Sequence, residues 1–118
     1  MPKEARIAII EDHKDYLQVI EEFLQENGHI IVKIATTFPD ALLLAKNLKR
    51  LKVSIVILDG NLTPGKIDGK EGQLILTAIR KYAPHIKVIG ISSVKFEGVD
   101  LDLLKRNIKT IGEAVNNL

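Results

Sequence analysis

The sequence predicts an α/β fold, a parallel sheet wound from βαβ units, and three observations carry that prediction. Apolar runs of strand length alternate with amphipathic segments of helix length from end to end. Two of the runs, from Ile7 to Ile10 and from Val53 to Leu58, are apolar almost without interruption, as strands buried on both faces are. Both end in acid: Glu11 and Asp12 follow the first, and Asp59 follows the second. Ligands of open parallel sheets bind outside the carboxyl ends of the strands, so the three carboxylates are expected at one edge.

The elements follow in order. Arg6 to Ile10 reads as the first strand. Lys14 to Asn27 reads as a helix, with Tyr16, Leu17, Ile20, Phe23 and Leu24 on one face and Gly28 as its stop. His29 to Ala35 is the second strand, less apolar on one face, as expected of an edge strand. Pro39 belongs in the first turn of a second helix, which runs to about Arg50 and buries Leu42, Ala45 and Leu48. Val53 to Leu58 is the third, central strand. A third helix spans Lys70 to Tyr82, with Leu74, Ile75, Ala78, Ile79 and Tyr82 at helical spacing, and Ile86 to Ile91 is the fourth strand. Val99 to Leu104 reads as a short fifth strand and Ile108 to Asn117 as a short last helix.

Composition narrows the function classes. The 118 residues are expected to form a single domain with no output domain attached. Trp is absent and aromatics are scarce, which argues against a stacking platform for single-stranded nucleic acid. A net charge of +2 is too small for a general nucleic-acid field. Lys49, Arg50 and Lys52 form the densest basic cluster and read as the solvated end of a helix. With no Cys, no apolar stretch of the roughly 18 residues a bilayer requires and no signal peptide, a cytoplasmic protein is expected.

Three carboxylates brought together repel one another by roughly 4 kcal/mol per pair at 4 Å and an effective dielectric of 20. A hard divalent cation removes that cost, and Mg²⁺ is the usual one. Each residue alone has a plainer meaning: an acidic pair after a strand often caps a helix, and an Asp at a strand end is often a turn residue. His13, His29 and His85 share no metal-ligand spacing and read as surface residues.

Glu11-Asp12 after the first strand, Asp59 after the third, Ser92 after the fourth and the stretch from Gly98 to Lys105 together resemble a response regulator receiver domain, CheY-like. The resemblance covers essentially the whole chain. It implies the flavodoxin-like doubly wound sheet of five parallel strands in the order 2-1-3-4-5. It implies Asp59 as phosphoacceptor for a histidine kinase or phosphotransfer protein, and Mg²⁺ held by Glu11, Asp12, Asp59 and the backbone carbonyl of Asn61. Ser92 and Lys105 would contact the phosphoryl group, with Lys95 as the alternative lysine. The output would be binding to another protein, by a monomer or weak dimer, without direct contact to nucleic acid or membrane.

The chain departs from the family in four places. Only a few residues separate Ser92 from Val99, so the helix usual between the fourth and fifth strands is expected to be reduced or absent. Asp102 stands where the family often has an aromatic switch residue, and Arg106 stands where Pro usually follows the lysine. The loop from Leu62 to Asp68, with its Pro64-Gly65 turn, is longer than usual. Two other functions compete. A pseudo-receiver would bind partners without using Asp59. A haloacid-dehalogenase-like phosphatase would use Asp59 as nucleophile, but Asn61 stands where those enzymes place a second acid for proton transfer.

Overall fold

A computed structural model describes residues 4–62, 69–93 and 95–118. Five strands form one parallel sheet: β1 (Arg6–Ile10), β2 (Ile30–Ala35), β3 (Ile55–Asp59), β4 (Lys87–Ser92) and β5 (Leu101–Leu104), in the order β2-β1-β3-β4-β5. The helices are α1 (Lys14–Glu26), α2 (Phe38–Asn47), α3 (Lys70–Tyr82) and α4 (Ile111–Asn116), the last preceded by a 3-10 segment, Lys105–Thr110. None is long and apolar enough to cross a membrane.

Alternation along the central strands divides the core between the two faces of the sheet. Ala8, Ile10, Val56, Leu58 and Val88 point into the cluster formed with α2 and α3, which includes Ala41, Leu44, Ile75 and Ile79. Ile7, Ile9, Ile57, Ile89 and Ile91 point into the opposite cluster with Ile20 and Leu24 of α1 and Ile111 and Val115 of α4. Each Ile buried this way contributes roughly 1.5–3 kcal/mol. Every residue of β3 is buried, and β2 lies at the edge with Ile30 and Lys33 exposed.

The region between β4 and β5 is the most unusual part of the sheet. Its described residues form no helix, only a turn at Glu97 and Gly98. Phe96 is buried over Gly90 and Gly72, where a Cβ would approach the ring to 2.9 and 2.8 Å. The Asp102 carboxylate of β5 accepts the Phe96 N–H at 2.9 Å and so holds this loop residue in place. Arg80 of α3 ties the same loop down by donating to the Ile86 and Gly98 carbonyls and to Asp100, which also accepts the Val88 N–H at 2.8 Å. Burial would raise the Asp100 pKa, but the Val88 N–H and the Arg80 guanidinium prevail and hold it below the usual carboxylate value.

Three expectations are corrected. Leu74 is largely exposed, because the buried face of α3 runs through Gly72, Ile75, Leu76 and Ile79. Leu42 is only partly buried, and Ala41 and Leu44 take the core positions of α2. His29 is buried, not on the surface. Its Nδ1 accepts the Ala5 N–H at 3.0 Å, which leaves Nε2 to donate to Asn116 Oδ1 at 2.8 Å and so ties β2 to α4. The basic cluster is as expected: Lys49, Arg50 and Lys52 are exposed where α2 ends. The described peptide bonds, that between Lys105 and Arg106 included, are trans. The Pro64-Gly65 turn and Val94 lie outside the described residues.

Candidate functional site

Three neighbouring strands of one parallel sheet end in polar residues, so the fold alone brings those residues together. Glu11 and Asp12 leave β1, Asp59 ends β3, Ser92 ends β4, and Lys105 follows β5 directly. One carboxylate oxygen from each of Glu11, Asp12 and Asp59 lies within 4.8 Å of the other two. Glu11, Asp59 and Ser92 are buried and Asp12 is half-buried.

Of the two candidate lysines, Lys105 is the one that lies against the acidic cluster. Its Nζ lies 3.2 Å from Asp59 Oδ1 and 3.6 Å from Glu11 Oε1, with only 19% of the side chain exposed. Lys95 instead reaches Glu97 at 3.5 Å on an exposed surface. The Lys105 ammonium also sits 4.7 Å above the Tyr16 ring, a contact not legible in the sequence, where Tyr16 falls on the apolar face of α1. Burial would lower the Lys105 pKa, but the Glu11 and Asp59 carboxylates raise it, so the ammonium is firmly charged.

That single cation does not balance the acids. Glu11 Oε2 accepts the His13 N–H at 3.3 Å, and Asp59 Oδ1 accepts the Asn61 N–H at 3.4 Å. Glu11 Oε1 and Asp59 Oδ2 are buried without a hydrogen-bond partner. Burial, reinforced by the neighbouring Asp59 carboxylate, pushes the Glu11 pKa up from 4.5 to about 9, with Lys105 opposing. Burial also raises the Asp12 pKa, with Asp59 adding to it. Two buried carboxyl oxygens without hydrogen-bond partners, beside a third carboxylate, are the donor set of a hard divalent cation, and Mg²⁺ fits it.

The segment after Asp59 is fastened to the start of α3. Gly72 N–H donates to the Gly60 carbonyl at 3.0 Å, Gly69 N–H donates to Asn61 Oδ1 at 2.9 Å, and Leu62 N–H donates to Glu71 Oε1 at 2.9 Å. Glu71 and Phe96 both border this region, and sequence reasoning missed both. An acid in the first turn of a helix normally reads as a solvated charge favoured by the helix dipole.

The chain matches the response regulator receiver domain family over residues 7–110. It is similar in structure to the signal receiver domain of NarL from Mycobacterium tuberculosis, at 25% identity and a TM-score of 0.75, over 98% of this chain and 96% of that one. It is also similar to a CheY-like receiver domain protein from Methanospirillum hungatei, at 19% identity and a TM-score of 0.71, over 98% and 96%. The non-phosphorylated receiver domain of RcsB from Escherichia coli shares the fold at 18% identity and a TM-score of 0.73, over 96% and 91%. No protein with a curated description matches the chain.

Proposed function

The chain belongs to the response regulator receiver domain family, and from that premise we propose that it is a phosphorylation switch with Asp59 as the phosphoacceptor. The observation that carries this is the buried Asp59 carboxylate with one oxygen paired to Lys105 and the other without a partner, beside the equally unbalanced Glu11.

In the reaction an Asp59 oxygen attacks the phosphorus of a phosphohistidine on a histidine kinase or phosphotransfer protein. A new O–P bond forms as the N–P bond breaks, and the imidazole nitrogen keeps the electron pair and takes up a proton. Glu11, Asp12, Asp59 and the Asn61 carbonyl would hold Mg²⁺, which supplies positive charge against the phosphoryl oxygens. Lys105, already within reach of Asp59, would transfer its contact to a phosphoryl oxygen, and the Ser92 hydroxyl would donate to another. Those contacts exist only in the phosphorylated form, so they shift a two-state equilibrium toward it, and a protein partner reads the shift.

Beryllofluoride with Mg²⁺, followed by amide resonances, tests this assignment. Shifts are expected around Gly60, Ser92 and Lys105. Lys105→Ala should weaken saturation by about tenfold or more, as for loss of one charge-assisted contact, and Lys95→Ala should behave as wild type. A spectrum unmoved by beryllofluoride would favour a binding module that never uses Asp59.

A further inference from the structure

Glu71 is the only buried carboxylate among the described residues outside the Glu11–Asp12–Asp59 cluster. It lies in the first turn of α3, twelve positions beyond Asp59, and its Oε1 accepts the Leu62 N–H at 2.9 Å. The Leu62 N–H and the Asn61 carbonyl belong to one peptide unit. That unit is planar and trans, so its N–H and C=O point in opposite directions. Fixing the N–H on Glu71 therefore aims the Asn61 carbonyl away from α3.

The neighbouring bonds leave this peptide little freedom to rotate. Gly60 is held through its carbonyl by Gly72 N–H, Asn61 N–H is drawn to Asp59 Oδ1, and Asn61 Oδ1 accepts from Gly69 N–H. An anionic acceptor on an N–H also polarises the peptide and enriches its carbonyl oxygen, because hydrogen-bonded groups in a low dielectric reinforce one another.

We propose that Glu71 is a positioning residue of the divalent-cation site, acting through the Asn61–Leu62 peptide to aim and polarise the Asn61 carbonyl. The proposal rests on the phosphoacceptor assignment above. Partners that orient metal ligands in this way typically change metal affinity by about 10–100-fold when removed.

The test is the Mg²⁺ dissociation constant of the full chain by calorimetry, with the urea midpoint measured separately in EDTA. Glu71→Ala is expected to weaken Mg²⁺ binding by about 10–100-fold. Glu71→Gln keeps an oxygen acceptor and loses the charge, so it should fold and lose only about two- to fivefold. A purely structural clasp would lower the midpoint in EDTA and leave the dissociation constant of the folded protein unchanged, and that result would overturn the proposal. If Glu71→Ala does not fold, Glu71→Gln decides: affinity identical to wild type would overturn it. Wild-type protein that binds no Mg²⁺ would remove the site assignment itself, and this proposal with it.

Discussion

Glu11→Gln is expected to stabilise the Mg²⁺-free protein by roughly 2–5 kcal/mol at about pH 8 and to change it little near pH 4. Glu11 is fully buried, and burial together with Asp59 raises its pKa from 4.5 to about 9. Between those values the folded protein holds a proton that the unfolded chain has released. The unfolded state then binds fewer protons, so stability falls as pH rises through this window and levels off above it. Below the window both states are protonated and the neutral amide gains nothing. Mg²⁺ opposes this order, because a ligand bound only by the native state stabilises it by about 2.7 kcal/mol at a hundred times its dissociation constant. Glu11→Gln forfeits that gain. Urea unfolding in EDTA and in excess Mg²⁺, at both pH values, measures all four terms. A variant less stable than wild type in EDTA at about pH 8 would show that Glu11 is better satisfied than the lack of a hydrogen-bond partner for its Oε1 indicates.

Gly72→Ala should destabilise the fold by about 3 kcal/mol, although Ala is the better helix former by about 1 kcal/mol. A Cβ on Gly72 would stand 2.7 Å from Gly60 Cα, 2.9 Å from the Gly60 oxygen and 2.8 Å from Phe96 Cζ. Two of these three atoms are backbone, and the Gly72–Gly60 hydrogen bond at 3.0 Å draws the two segments together. Relief requires moving α3 away from β3 or displacing Gly60, which is bonded directly to Asp59. The variant is therefore expected to lose both urea stability and phosphoryl uptake. An unchanged urea midpoint would mean that α3 approaches β3 less closely than described.

The sheet and the acidic cluster were legible in the sequence for the same physical reason. Continuous apolar runs mark strands buried on both faces, and topology then carries whatever follows those strands to a common edge. Glu11, Asp12 and Asp59 meet as expected. The recognisable stretch before Lys105 placed that lysine, and β5 running directly into it delivers the ammonium to Asp59. Residues whose meaning depends on distant neighbours were not legible. His29 reads as a surface residue until α4, 87 positions later, supplies Asn116. Leu74 shares helical spacing with core residues, but spacing does not say how far the neighbouring elements extend over that face. Phe96 gains its role only because the crossover is too short for a helix, and Glu71 only because the Leu62 N–H turns toward it.

The most direct test of the central claim is the intact mass of the protein after incubation with acetyl phosphate and Mg²⁺, beside Asp59→Asn. One added phosphoryl group that depends on Mg²⁺ and is absent from the variant is the expected result. A wild-type protein that binds Mg²⁺ and responds to beryllofluoride but shows no adduct would point to rapid hydrolysis of the aspartyl phosphate. An adduct that persists in Asp59→Asn, or no adduct and no response to beryllofluoride, would contradict Asp59 as the phosphoacceptor.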